Sequence, residues 1–204
     1  MSFTTPFGSY FSLSTVSLSV PDAMILAFLV FLVCWRLKFK NNSTLKTVLK
    51  GLLFLYAGAL FSLTQVLVLP GAWQLSAGNA AYVLSTIQFD PLQSAMLIYK
   101  NCTAIGDYSA FVRLIIGNIL LLMPLGVLIP LINKKYRLLK VSLVGLAVSL
   151  GIEGLQLVGN LLYGGALRTV EIDDVIFNTL GCIAAYLLLA LCRVVVRRLN
   201  KIIN

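Results

Sequence analysis

Long apolar runs alternate with short basic segments along this chain of 204 residues. Charge-free intervals occupy residues 23–35, 51–89, 114–133 and 175–192, and a further run, 141–162, is broken by a single charge, Glu153. A helix of about 20 mostly apolar residues crosses a hydrocarbon core about 30 Å thick, so the pattern predicts five membrane spans. The first run is short. Its helix is expected to start near Pro21, a favourable first-turn residue, and to let Arg36 and Lys38 snorkel at its far end. These positive charges follow the apolar run, and VCWRLKF offers no small-residue cleavage site, so the segment reads as a retained span and not as a signal peptide.

The distribution of charge sets the expected topology. Arg36, Lys38, Lys40, Lys46 and Lys50 lie between spans one and two; Lys134, Lys135, Arg137 and Lys140 between spans three and four; and Arg193, Arg197, Arg198 and Lys201 after span five. With five spans, 13 of the 16 basic residues fall on one side, which the positive-inside rule makes the cytoplasm. The N-terminus is then outside and the C-terminus cytoplasmic, with 193–204 as a basic tail. Interval 51–89 is long enough for two crossings, but a second one would move a basic cluster outside. Residues 51–70 are therefore expected to cross, and 71–112 to remain outside as an interfacial, aromatic-rich loop with room for short amphipathic helices.

Composition agrees with a single all-α, polytopic membrane bundle: 59% of residues are hydrophobic, 11% are charged, and the mean hydropathy is +0.95. The net charge of +9 reads as topology and lipid contact, not nucleic-acid binding, because it is parcelled out at span ends. Histidine is absent, which excludes imidazole as a base or ligand, and the four cysteines lack paired spacing. No metal site or cofactor is indicated. Pro124, Gly126 and Pro130 are expected to kink or locally open span three.

The polar residues inside the spans carry the functional signal. Ser149, Glu153, Gln156 and Asn160 recur at helical spacing on one face of span four. Glu153, about 20 Å in from Lys140, needs a partner or a wet cavity. Arg113 and Asn118 open span three; Arg168, Glu171, Asp173, Asp174 and Asn178 surround the start of span five, where Gly181 and Ala185 permit close helix approach. The expectation is one outward-facing polar pocket built from Arg113, Asn118, Glu153, Gln156, Arg168, Asp173, Asp174 and Asn178. A plainer account has Asp173 or Asp174 capping its own helix, Arg168 neutralising Glu171, and the amides acting as interhelical glue.

The segments NILLLMPLG (118–126), SLGIEGLQL (149–157) and RTVEIDDVIFNTLG (168–181), in this order and spacing, resemble the signature blocks of the VanZ-like family. The likeness is firm over about 113–190 and extends by layout over a core of about 51–192. It maps the family's polar positions onto Asn118, Glu153, Gln156, Arg168, Asp173, Asp174 and Asn178. Leu122 and the CIAAY run after Gly181 depart from the pattern at packing positions. The resemblance implies a multi-pass protein of the bacterial plasma membrane, associated with lowered susceptibility to teicoplanin-type glycopeptide antibiotics. Two functional readings follow: a binding protein whose pocket holds a lipid headgroup, a lipid-linked cell-wall precursor or the drug, and an integral-membrane enzyme acting on a lipid-linked substrate with Glu153 as acid or base. Transport is disfavoured, since five spans show no internal repeat.

Overall fold

Ser19 begins the first membrane helix: its backbone is extended (φ −69°, ψ 158°), and its hydroxyl accepts the Asp22 N–H at 3.3 Å and donates to the Asp22 carboxylate at 3.0 Å. With Pro21 in the first turn, this satisfies donors that a helix start leaves open. In the computed structural model, which describes residues 3–4, 10–12 and 14–203, seven α-helices follow one another: α1 Val20–Cys34, α2 Thr44–Thr64, α3 Ala77–Ser85, α4 Gln93–Ile105, α5 Ser109–Ile132, α6 Leu138–Tyr163 and α7 Ile172–Ile203. Five are long and apolar enough to cross a membrane: α1 with its π-helical continuation to Phe39, then α2, α5, α6 and α7. The protein is a predominantly helical membrane protein with five spans and little sheet. Helices suit that medium because each backbone N–H and C=O finds its partner within the same segment.

The chain forms two compact units, one of residues 1–90 with 150–172, the other of 91–149 with 173–204. In the first, α1 and α2 make a hairpin whose closest approach is at Gly58, where a Cβ would come within 2.5 Å of the Ala23 carbonyl oxygen. Phe31 lies over Gly51 and tilts against Phe54 at 5.6 Å between ring centroids. Helix α2 stops at Thr64, six residues short of the expected crossing. Gln65 is extended (φ −117°, ψ 147°), and Leu67–Val68 pairs with Thr15–Ser17 as the last strand of a small antiparallel sheet, β1 (Phe3–Thr4), β2 (Tyr10–Phe11), β3 (Thr15–Ser17) and β4 (Leu67–Val68) in spatial order. Hydropathy could not reveal this, because β3 supplies the backbone partners that a continued helix would otherwise have provided. Between Pro70 and Asp90 lies α3, capped by the Ser76 hydroxyl on the Asn79 N–H at 3.1 Å. Gln88 then makes a parallel bridge to Glu171: its N–H reaches the Val170 carbonyl at 3.0 Å, and its carbonyl accepts the Ile172 N–H at 3.0 Å.

In the second unit, α5, the first half of α6, and α7 pack around Cys182, which is fully buried. A Cβ on Gly126 would fall on the Cys182 carbonyl, one on Gly145 would lie 2.9 Å from its Cβ, and one on Gly181 would fall on the Ile119 carbonyl. Close approach through small residues is how membrane helices gain dispersion contact without a hydrophobic driving force. Leu122 and Ala185 are buried in this contact. Helix α5 carries Pro124 and Pro130 within its length and remains helical through both. Helix α4 ends at Gly106, whose φ of 80° is the left-handed value that lets its N–H return to the Cys102 carbonyl at 2.8 Å.

Replacing Gly181 with Val should destabilise the protein by about 1–3 kcal/mol or prevent its assembly, since the branched side chain must displace the Ile119 backbone. Gly117, where a Cβ would meet nothing within 4 Å, is the matched control: Gly117→Ala should be neutral or slightly stabilising. Thermal unfolding of the two variants in detergent checks both.

Candidate functional site

The polar face of α6 in the first unit does structural work at three successive positions. Glu153, 6% exposed, accepts the Glu171 backbone N–H on Oε2 at 3.1 Å. Gln156 donates its amide to the Thr64 carbonyl at 3.0 Å, and Gln65 donates to the Ile152 carbonyl at 3.3 Å. The last carbonyls of α2 have no partner inside that helix, so α6 supplies one from its side. Asn160, 1% exposed, is the most fully used: its Oδ1 accepts from the N–H groups of Leu167 at 2.9 Å and Arg168 at 3.2 Å, while its amide donates to the Arg168 carbonyl at 2.7 Å. One buried side chain thus clamps the backbone of Arg168 on both sides.

The Arg168 side chain is exposed. It makes no ion pair with Glu171 among the described residues, contrary to the neutralising role considered above. Its Nη2 instead lies 3.5 Å from the Leu63 carbonyl, at the C-terminal end of α2, where the helix dipole favours a cation. One long contact leaves most of the five guanidinium donors available. Nearby in this unit's polar set, Gln156 Oε1 and Glu171 Oε2 are buried without a protein hydrogen bond.

In the second unit the acids in the first turn of α7 have divided duties. Asp173, 1% exposed, does not cap its own helix. Its Oδ1 accepts the Leu92 N–H and its Oδ2 accepts the Ala95 N–H at 3.2 Å. Leu92 is the N-cap of α4 and holds a left-handed φ of 65°. The carboxylate therefore completes from another helix the two bonds that a local capping box would make, and its negative charge suits that helix start. Asp174 accepts a short hydrogen bond from the Asn118 amide. One turn further, buried Asn178 donates to the Ser149 hydroxyl at 3.0 Å, while Asn178 Oδ1 and Thr179 Oγ1 lack a protein partner.

Arg113 is exposed near the start of α5. Asp107, just before that helix, has its carboxyl held below the usual value of 3.8, first by the Ser109 N–H, then by the Ser109 hydroxyl, with a smaller contribution from the Arg113 charge. Its oxygens accept these at 2.8 and 2.9 Å. Among the described residues no three His, Cys, Asp or Glu side chains gather as a metal-holding group.

The eight residues singled out in the sequence thus fall in two sets, with Glu153, Gln156 and Arg168 in the first unit and Arg113, Asn118, Asp173, Asp174 and Asn178 in the second. Asn160 was visible on the polar stripe of α6, yet its role depends on the turn at 164–168 that no spacing rule specifies. Gln65, Thr64 and Leu92 carried no sequence signal, because they act through groups at the ends of elements. Glu153, Asp173 and Asp107 hold backbone donors and Asp174 a side-chain amide, while the exposed cations keep open valence.

Five spans, with carboxylates and amides of those spans tying down helix ends, define a polytopic membrane protein organised around internal polar clamps. The VanZ/LLP1 family model matches residues 53–193, and the chain belongs to that family. Searches of curated proteins and of solved structures each give no match.

Asp173→Ala leaves two N–H groups at the start of α4 without their acceptor, at about 1–3 kcal/mol each. Amide exchange at Leu92 and Ala95 should rise steeply, while exchange across the α1–α2 hairpin stays as in the parent chain. For Asp107, a lowered carboxyl means that its contribution is complete above the unfolded value and is lost as pH falls through the lower folded value. The Ser109 amide should accordingly remain protected through pH 3.8 and lose protection only below it, as exchange measured across an acid titration will show.

Proposed function

We propose that this VanZ/LLP1 protein is a non-catalytic component of the bacterial plasma membrane that engages the phosphate-bearing headgroup of a lipid-linked cell-wall precursor through Arg168. That contact lowers susceptibility to teicoplanin-type glycopeptides by reducing the drug's access to the precursor. The observation that carries the reading is the Asn160 clamp: a buried amide makes three hydrogen bonds to residues 167–168 and holds in place an arginine whose guanidinium is exposed. Such a cation, with a fixed backbone and a planar fork of donors, suits a phosphate better than a mobile lysine does. The positive-inside reading puts Arg168 on the outer side, away from the 13 basic residues of the opposite face, where envelope precursors are polymerised.

The non-catalytic part of the proposal is supported by what the acids already do. Asp173 uses both oxygens on backbone donors, and Glu153 places one on the Glu171 N–H. A general acid or base needs a carboxyl free to exchange a proton with substrate.

The test compares deletion, Arg168→Gln, Arg168→Lys and Glu153→Gln strains by labelling with a fluorescent lipoglycopeptide and by drug susceptibility. Deletion and Arg168→Gln should raise labelling alike, by about tenfold for the loss of one charge-assisted contact worth about 1.5 kcal/mol, and Arg168→Lys should restore part of the effect. Unchanged labelling and susceptibility on deletion would refute the reading. A chemically altered precursor accumulating in both the deletion and the Glu153→Gln strains would replace it with the enzyme reading.

A further inference from the structure

The C-terminal third of α7 carries a cluster of cations separate from Arg168. The helix has 32 residues, Ile172–Ile203, and at 1.5 Å per residue it is about 48 Å long, well beyond a hydrocarbon core of about 30 Å. With Asp173 at one boundary, Arg193 falls about 30 Å along the axis, at the level of the opposite headgroups. From there on the helix carries Arg193, Arg197, Arg198 and Lys201 and no acid.

Arg193 is oriented by the end of α5. Its Nη2 lies 3.5 Å from the Pro130 carbonyl, one of the last carbonyls of that helix, which have no partner within it. Arg197, one turn along, is exposed, and the two arginines with Cys192 and Val196 line a concavity of about 310 Å³. Val196, which lines it, is 54% exposed. The loop from α5 to α6 and the first turn of α6, in the same unit, add four more cations at 134, 135, 137 and 140, again without an acid. The feature therefore pairs two forked donors with an apolar flank, at headgroup depth, in a field of one sign.

We propose that Arg193 and Arg197 form a binding site for one anionic phospholipid of the leaflet at this end of α7, with its phosphate held by the two guanidinium groups and an acyl chain lying along Val196. The length of α7 and the combination of charge with the exposed Val196 select a lipid over a soluble phosphate, which needs no apolar flank. A nucleic acid, which also satisfies cations, has no use for a half-exposed valine at the edge of a membrane span.

The full chain, reconstituted in vesicles of equal phosphatidylglycerol and phosphatidylcholine, is released with mild detergent and its retained lipid identified by native mass spectrometry. The wild type should keep phosphatidylglycerol preferentially. At about 1 kcal/mol for each cation near a charged surface, Arg193→Gln with Arg197→Gln should reduce that preference on the order of ten- to thirtyfold. Arg193→Lys with Arg197→Lys, which keeps charge and removes the fork, should fall between, and Arg36→Gln with Lys38→Gln should leave the preference as it was. Retention of both lipids equally by the wild type would overturn the proposal, as would an equal loss in the Arg36/Lys38 variant. Displacement of the retained lipid by millimolar glycerol phosphate or by a short oligonucleotide would overturn the lipid assignment and identify the competing ligand class. Because Arg168 is intact in all these variants, the outcome is separate from that of the headgroup reading above.

Discussion

A peptide N–H or C=O without a partner in hydrocarbon costs several kcal/mol, and this protein is organised by where its helices leave such groups open. Within α1, α2, α6 and α7 the backbone satisfies itself, and in α5 it does so except where Pro124 and Pro130 have no N–H to give. At their ends, and where the chain is extended between them, it does not. Side chains from neighbouring elements close those gaps: Asp173 on the N–H groups of Leu92 and Ala95, Glu153 on that of Glu171, Gln156 on the Thr64 carbonyl, Asn160 on the backbone of Leu167 and Arg168. Each bond joins residues distant in sequence or across a tight turn, and each belongs wholly to one of the two units.

This division of labour accounts for acids gathering at the start of α7 in a chain with only seven. Asp173 is spent on another helix, and Asp174 on Asn118, while the backbone at Glu171 is held by Glu153 on its own N–H and by Gln88 on the flanking Val170 and Ile172. The cations are left with the opposite character. Arg168 and Arg193 each make one long bond to a terminal carbonyl, of Leu63 and Pro130 respectively, and retain further donors. Helix C-termini thereby become places where an arginine is positioned but not neutralised, which suits recognition of anionic groups.

Helix packing obeys a related constraint. Since lipid tails are as apolar as the side chains, association relies on contact distance and shape. Gly58 against Ala23, and Gly126, Gly145 and Gly181 around Cys182 and Ile119, bring backbones together within each unit. These contacts give the polar clamps a rigid frame; a clamp such as Asn178 to Ser149 is useful only if α6 and α7 hold their spacing.

Hydropathy and charge alone determined the membrane class and the five spans, and Pro21 marked the start of α1 to within a residue, because span length, the cost of burying charge and proline's first-turn preference are local properties of the chain. Three spaced motifs were enough to indicate the family. The stripe through Ser149, Glu153, Gln156 and Asn160 could likewise be read as a face, since helical periodicity is local too. What each member of that face binds was decided only by tertiary structure. The end of α2 at Thr64 depends on β3, the capping of α4 depends on Asp173 some 80 residues downstream, and the presentation of Arg168 depends on a turn folded back onto Asn160. A residue's spacing tells which way it faces, but a hydrogen bond needs a partner, and in this chain the partners are backbone groups whose positions exist only once the helices have packed.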